Sequence, residues 1–143
     1  MKILLGIAGF FVLCIGLVAW KGYTWWQANG KAYVVAIKAS GEDGKTFGRT
    51  ADNAACVKSA LDRFATDTST LGSLQATAYA QNCLPESKPT QGFCDGVPQS
   101  RDFSAAREWV KSKCATVTAL DDRCRIVMGT VPRFCHPRDK DNG

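Results

Sequence analysis

Histidine is almost absent from this sequence, since His136 is the only one. Any mechanism with a histidine base has to use this residue, and a metal site with several histidine ligands is excluded. His136 lies directly between Cys135 and Pro137, whereas a general base needs a rigid position and a partner that orients it. We interpret His136 as a surface histidine.

The sequence also lacks the short motifs that accompany common enzyme chemistry. It has no GxSxG nucleophile motif, no phosphate-binding loop, no dinucleotide fingerprint and no HExxH zinc motif. Carboxylates are the remaining source of an acid and a base, but nothing in their spacing selects a pair. The carboxylates considered are Asp62, Asp67, Glu86, Asp95 and Asp102. The sequence favours a protein that is not an enzyme, and we predict no cofactor.

Closely spaced metal ligands are missing as well. Zinc and iron–sulfur sites use CxxC pairs or histidines at short spacing, and the sequence has no CxxC. The closest cysteines, Cys114 and Cys124, are 10 residues apart. A redox-active dithiol is excluded on the same ground. We therefore predict no metal site.

A strong charge of one sign is also absent. The net charge is +5, and after Lys21 it is +3, because 16 lysines and arginines stand against 13 acidic residues there. Nucleic-acid binding requires a clustered basic face, so we predict no nucleic-acid partner. The basic residues of the C-terminal third are Arg107, Lys111, Lys113, Arg123, Arg125, Arg133, Arg138 and Lys140. They favour an acidic partner or anionic lipid, but nearby carboxylates offset them, and a solvated surface is the simpler interpretation.

The longest uncharged run is Ile3 to Trp20, 18 residues between Lys2 and Lys21. At about 1.5 Å of rise per helical residue, it crosses most of a ~30 Å hydrocarbon core. The sequence predicts an N-terminal transmembrane anchor over residues 1–26, with residues 3–20 in contact with membrane lipid. Cys14 is expected to face lipid or another helix.

A cleaved signal peptide is the alternative to an anchor. The hydrophobic region of a signal peptide is about 7–15 residues long and ends at a small-x-small site. Here the run is longer, and cleavage after Ala19 would place Leu17 where a small residue is needed. Aromatic residues follow, as at a membrane interface. They are Trp20, Tyr23, Trp25 and Trp26. An uncleaved anchor is favoured.

The lysines do not settle the orientation of the anchor. Lys2 favours a cytosolic amino terminus under the positive-inside rule, but Lys21, Lys31 and Lys38 oppose it. Six further cysteines fit an oxidising space better than a reducing one. We predict a single-pass protein of the inner (plasma) membrane, with its C-terminal domain in the periplasm or another extracytoplasmic space.

The segment after the anchor predicts a linker and a β-hairpin. Asn29-Gly30 is a turn signal that ends the anchor helix, giving a linker over residues 27–31. Ala32 to Lys38 is rich in β-branched and aromatic residues and predicts a strand. The turn residues 41–44 then return the chain into a short partner strand over residues 45–49.

From Thr50 onward, the apolar period becomes helical and predicts about four helices. Thr50 or Asp52 caps a helix to about residue 65, and the cluster of residues 66–69 caps a second one to about Cys83. Asp102 caps the third helix, and Asp121 or Asp122 starts the last, which Pro132 ends. The fold class is thus mainly α: a transmembrane helix and a disulfide-stapled helical domain over residues 32–138, followed by a polar tail, 139–143.

The remaining six cysteines form an even set, which allows 15 pairings. Two antiparallel helices that turn near residue 69 bring Cys56 and Cys83 together, and a turn near residue 119 does the same for Cys114 and Cys124. The preferred pairing is therefore Cys56–Cys83, Cys94–Cys135 and Cys114–Cys124. The alternative pairs Cys94 with Cys114 and Cys124 with Cys135.

Residues 92–98 form the candidate binding loop. Phe93, Asp95 and Val97 lie beside a tight turn in a segment that a cysteine fixes. The simpler interpretation is that Phe93 and Val97 cover the helical core, with Trp109 beneath them. Both interpretations remain open at the level of sequence.

These features predict a membrane-anchored extracytoplasmic binding protein. The preferred hypothesis is an accessory subunit of a cell-envelope complex with a protein partner in the envelope. The alternative is an inhibitor or immunity-type protein that blocks an enzyme in the periplasm. Two less favoured hypotheses are an enzyme that uses His136 or aspartates, and an anchor that itself assembles with other membrane helices.

Overall fold

The computed structural model describes residues 2–115 and 121–137 of the 143-residue chain, and side chains of residues 11–115 and 124–137. The predicted polar tail, 139–143, lies outside these residues. The helices are α1 (Lys2–Gly48), α2 (Asn53–Thr66), α3 (Thr70–Cys83), α4 (Phe103–Cys114), α5 (Asp121–Met128) and α6 (Thr130–Cys135). A single-turn 3₁₀ helix, Leu84–Glu86, follows α3. The described residues contain no β-strand, so the predicted mainly helical class is confirmed.

The chain divides into two compact units, residues 1–35 and 36–143. In the first unit, the helix end predicted at Asn29-Gly30 is wrong, because α1 continues through both residues. The amide of Asn29 donates to the carbonyl oxygen of Trp25 at 3.0 Å. A Cβ on Gly30 would lie 2.8 Å from the indole of Trp26. Asn29 and Gly30 are thus helical residues here, and the missing side chain of Gly30 leaves room for the indole of Trp26.

Among the residues that the structure describes, no helix is long and apolar enough to cross a membrane. The side chains of residues 3–10, which belong to the predicted span Ile3 to Trp20, lie outside the described ones. The predicted membrane-interface residues are exposed on α1; they are Trp20, Tyr23, Trp25 and Trp26. The membrane anchor stays a prediction.

The predicted β-hairpin is wrong, because its first strand, its turn and residues 45–48 of its second strand lie within α1, and Arg49 follows the helix in a turn. The reason is a row of small residues at every fourth position of α1. These residues are Ala36, Ser40, Gly44 and Gly48. Residues four apart share one face of a helix, so Gly44, which suggests a turn in the sequence, is part of a smooth helix surface instead.

This small-residue face packs closely against the backbone of α3. The hydroxyl of Ser40 donates to the carbonyl oxygen of Gln75 at 2.8 Å, and the amide of Gln75 lies 3.5 Å from the carbonyl oxygen of Ala36. A Cβ on Gly44 would overlap the carbonyl group of Tyr79, and one on Gly48 would lie 2.5 Å from the carbonyl oxygen of Cys83. No larger side chain fits at these two glycines.

Side-chain caps start α2, α3 and α4 where the sequence places them. Asp52 Oδ1 accepts the backbone N–H of Ala55 at 2.8 Å, which selects Asp52 over Thr50 as the cap of α2. Ser69 Oγ accepts the N–H of Gly72 at 3.0 Å. Asp102 Oδ1 accepts the N–H of Ala105 at 2.9 Å. Each cap satisfies a backbone donor that the first helical turn leaves unpaired.

The predicted last helix is two helices. α5 ends at Met128, and α6 begins at Thr130, with Gly129 between them. The expectation that Pro132 ends the helix is wrong, because Pro132 is the third residue of α6 and is buried. Proline is tolerated there because the first helical turn has no internal acceptor for its missing N–H.

Three disulfides join these elements in the preferred pairing. The Cα–Cα distances are 5.7 Å for Cys56–Cys83, 5.5 Å for Cys94–Cys135 and 6.0 Å for Cys114–Cys124. Cys14 is a free cysteine. The bridges tie α2 to α3, the loop before α4 to α6, and α4 to α5.

We expect Gly44→Ala to lower the free energy of unfolding by about 1–3 kcal/mol, because the added Cβ forces α1 away from α3. Urea denaturation of the full-length chain in non-ionic detergent, followed by circular dichroism, measures this. Gly22→Ala is the control, since a Cβ there meets nothing within 4 Å in the described structure. If the two variants lose equal stability, the close packing at Gly44 is wrong.

A second prediction concerns Asp67, whose side chain accepts the backbone N–H of Ser69 at 2.9 Å. Hydrogen bonds from the Ser69 backbone and side chain lower the pKa of Asp67 below its ordinary value of 3.8. The ionised carboxylate therefore stabilises the fold above that value, and this contribution is lost as the pH falls below it. We expect Asp67→Asn to be less stable than wild type at pH 6 and to approach it at pH 2–3. A pH-independent difference would contradict this.

Candidate functional site

An apolar groove lies on the helical domain between α2, α4, α5, α6 and the loop that carries Phe93. Its volume is about 510 Å³. Its largest apolar lining residues are Val57, Leu61, Phe93, Trp109, Met128 and Val131. Because the lining comes from four helices and one loop, the groove exists only in the folded, cross-linked domain.

Partly buried side chains form the walls of the groove. Val57 and Leu61 lie one turn apart on α2, and both pack against the buried core. Trp109 of α4 packs against the same core. Phe93 contacts Phe134 of α6 edge-on, with ring centroids 6.1 Å apart. Each of these side chains presents a part of its surface that the core does not cover.

The loop over residues 92–98 is fixed by several independent contacts. Gly92 and Gly96 have positive φ angles of 71° and 68°, a conformation that glycine adopts without strain. The backbone N–H of Asp95 donates to the carbonyl oxygen of Gly92 at 3.0 Å, and the backbone N–H of Val97 donates to the carbonyl oxygen of Cys94 at 3.2 Å. Together with the Cys94–Cys135 bridge, these contacts hold Phe93 in the groove.

The three residues of the candidate binding loop do not form one site. Phe93 is half-buried and lines the groove with Trp109. Val97 is only 7% exposed and belongs to the core, as the simpler interpretation expects. Asp95 is exposed and is not among the residues that line the groove. The structure therefore retains Phe93 as a candidate binding residue and gives Val97 a packing role.

Charged side chains stand at the rim of the groove. Lys58 Nζ lies 2.7 Å from Asp62 Oδ2, an exposed ion pair on adjacent turns of α2. Lys113 Nζ lies 5.6 Å from the centre of the Trp109 ring. Exposed pairs of this kind contribute about 0–1 kcal/mol to stability. Their main effect is to surround an apolar surface with charges of both signs.

His136 has a structural position rather than the surface position expected from the sequence. It is half-buried, and its Nε2 lies 2.8 Å from the carbonyl oxygen of Val97. A carbonyl oxygen only accepts, so Nε2 is the protonated nitrogen and donates. The hydroxyl of Ser100 donates to the carbonyl oxygen of His136 at 3.2 Å. These two hydrogen bonds tie the end of α6 to the loop before α4, at Val97 and at Ser100.

Metal ligands do not cluster within the described ranges. No group of three or more histidine, cysteine, aspartate or glutamate side chains there is placed to hold a metal ion. Asp62 is the one carboxylate among the groove-lining residues of the described structure, and it pairs with Lys58. The groove is therefore suited to burying apolar surface.

The groove was not predicted from the sequence. α2 carries two neighbouring apolar rows. Cys56, Ala60 and Phe64 are buried, and the second row lies one residue further along at each turn. That row is Val57, Leu61 and Ala65. The sequence of α2 does contain a signal for such a groove, because its apolar arc is wider than the single stripe that a core-facing helix needs.

Comparison of the chain with known protein families, with curated proteins and with solved structures gives no match.

We expect His136→Ala to lower the free energy of unfolding by about 1–2 kcal/mol, because the carbonyl oxygen of Val97 loses its donor. Urea denaturation with the disulfides intact measures this loss. The control is Gln99→Ala, which changes an exposed residue in the loop that carries Val97. We expect its stability to be close to that of the wild type. Equal stability of the two variants would contradict the structural role of His136.

Proposed function

We propose that this chain is a non-enzymatic, membrane-anchored binding protein of the periplasm or another extracytoplasmic space. Its preferred role is that of an accessory subunit of a cell-envelope complex, with a partner protein bound in the apolar groove. The observation that carries this proposal is the groove itself, which has a volume of about 510 Å³, a largely apolar lining and a fixed place on a disulfide-bonded helical domain.

The compartment is argued from the cysteines and the N-terminal run. Disulfides persist in oxidising spaces and are rare in the cytosol, and all six cysteines after residue 50 are paired. A helix of 18 uncharged residues is long enough to hold such a domain at a membrane. The exposed aromatic residues that follow this run fit the interface between lipid and water.

A protein partner is favoured by the form of the groove. Val57 and Leu61 extend it along α2, and Phe93 and Trp109 provide aromatic surface. Aromatic anchors surrounded by a charged rim are typical of protein interfaces. An amphipathic helix of a partner would place its apolar face against these residues and its charged face beside Lys58 and Asp62.

The alternative function is inhibition of an enzyme in the same compartment. A small cross-linked domain with a rigid loop also suits an inhibitor or immunity-type protein. The two functions differ in the partner. An accessory subunit binds other membrane proteins of its own cells, whereas an inhibitor binds a soluble enzyme and is needed only when that enzyme is present.

Site-specific photo-crosslinking in cells that make the protein tests the groove. A photoreactive residue replaces Ala65, an exposed residue that lines the groove, and a matched variant carries it at Gln81, an exposed residue of α3 outside the groove. We expect an adduct of defined mass from position 65 and none from position 81. Equal labelling at both positions would contradict binding in the groove, and the adduct's identity separates the two functions.

The anchor is tested by extraction of membranes at pH 11. We expect the full-length chain to stay in the membrane pellet, because about 18 apolar residues are buried in lipid. A variant without residues 2–20, exported by a cleavable signal peptide, should appear in the soluble extracytoplasmic fraction with its disulfides formed. Release of the full-length chain at pH 11 would contradict a transmembrane anchor.

A further inference from the structure

A second cavity, of about 380 Å³, lies among residues of α4, α5 and α6 and the segment before α4. Its lining differs from that of the apolar groove, with no residue in common. Val110 and Pro132 are buried and form part of its apolar lining. Its cationic lining residues are Arg107, Arg125 and Arg133, one from each helix. Three helices thus bring three positive charges to one concave surface.

Two of the three arginines have no ion-pair partner among the described side chains. Among the side chains that the structure describes, no carboxylate lines the cavity, and neither Arg107 nor Arg133 forms an ion pair. Arg125 makes an interaction of its own, so the two unpaired arginines of the described cavity lining are Arg107 and Arg133. A cavity lined by one sign of charge attracts the opposite sign.

An exposed aromatic residue stands beside these arginines. Phe103, the first residue of α4, is 83% exposed and lines the cavity. With Ala106, Arg107 and Val110, it follows the i, i+3, i+4, i+7 spacing of one helix face. Phenylalanine and arginine are both enriched at protein interfaces relative to the rest of the surface.

We propose that this cavity binds an acidic and apolar segment of a partner protein. We call it the Arg–Phe pocket and define it by Phe103, Arg107, Val110, Arg133 and Pro132. Carboxylates of the segment pair with Arg107 and Arg133, and an apolar side chain lies against Phe103, Val110 and Pro132. The proposal deepens the proposed function, on which it rests, by naming the chemistry of the partner.

A peptide fits the Arg–Phe pocket better than an anionic lipid headgroup does. The guanidinium fork binds carboxylate and phosphate alike, in bidentate geometry. A polar headgroup, however, would leave the exposed ring of Phe103 without an apolar contact. A peptide segment supplies carboxylates and apolar side chains at the spacing of a few residues, which matches both parts of the pocket.

The test is peptide binding to the full-length chain in non-ionic detergent, measured by fluorescence anisotropy. The probe is a fluorescein-labelled nine-residue peptide in which pairs of glutamate alternate with leucine and phenylalanine. The matched probe has glutamine in place of every glutamate. We expect saturable binding of the glutamate peptide, at least tenfold tighter than that of the glutamine peptide.

Two double variants distinguish the effect of the pocket arginines on peptide binding from the effect of the overall charge. Arg107→Gln with Arg133→Gln should weaken binding of the glutamate peptide at least tenfold. Lys38→Gln with Lys88→Gln removes the same charge from two exposed lysines outside the pocket and should weaken it less than threefold. Phe103→Ala should weaken it several-fold without removing charge. Equal losses in both double variants would overturn the proposal.

Vesicles of phosphatidylglycerol and of phosphatidylcholine provide the lipid comparison, in a co-sedimentation assay with the exported variant that lacks residues 2–20. We expect both double variants to bind phosphatidylglycerol equally. Arginine-dependent vesicle binding without peptide binding would overturn the proposal in favour of a lipid site. Crosslinking at Ala65 probes the apolar groove, which is a different surface. A negative result for the Arg–Phe pocket therefore leaves partner binding in the groove to be tested separately, and a negative result for the groove leaves the pocket to be tested separately.

Discussion

The bridge between Cys56 and Cys83 is the constraint on which the rest of the domain depends. Both cysteines are fully buried, and the bridge fixes the start of α2 against the end of α3. It closes a loop of 27 residues, which restricts the unfolded chain enough to contribute about 2–4 kcal/mol. For a domain with a small core, this is a large share of the usual 5–15 kcal/mol of stability.

The helical pair that this bridge fixes supports each of the other surfaces. α3 provides the backbone against which the small residues of α1 pack, from Ser40 to Gly48. α2 provides one wall of the apolar groove. The start of α2 also holds the chain after α3, because the side chain of Asn53 donates to Ser87 Oγ at 2.7 Å and accepts from the N–H of Thr90 at 3.0 Å.

The candidate binding surfaces depend on the loop between α3 and α4 being rigid. A long loop without contacts would cover the groove only transiently. Here the Cys94–Cys135 bridge and the bond from His136 to Val97 tie it to the end of α6. The single histidine of the chain thus helps to position this loop. The loop in turn holds Phe93 at the groove.

What could be predicted from the sequence was information that acts over short distances. Asp52, Ser69 and Asp102 each cap a helix through bonds to residues three positions away, and such patterns are visible in the sequence. The pairing of Cys56 with Cys83 followed because both lie at similar distances from one turn. The β-hairpin failed because Gly41 and Gly44 are turn residues by local propensity, whereas their conformation here is set by packing on α3.

The groove and the Arg–Phe pocket could not be predicted, because each combines residues from several helices. Arg107 and Arg133 are far apart in the sequence, and nothing local indicates that α4 and α6 bring them to one cavity. The apolar row of Val57 and Leu61 was visible, but whether a second row faces a core or solvent depends on the neighbouring helices. Their arrangement is tertiary information.

The most direct test of the account is a disulfide map of the native, membrane-extracted chain after alkylation of free thiols. Trypsin alone leaves Cys83 and Cys94 on one peptide, because Lys88 precedes Pro89, so cleavage after Glu86 by Glu-C is added. The account predicts a full-length chain with one alkylated thiol, Cys14, and the three bridges of the structure. Six or seven alkylated thiols, or bridges from Cys94 to Cys114 and Cys124 to Cys135, would contradict it.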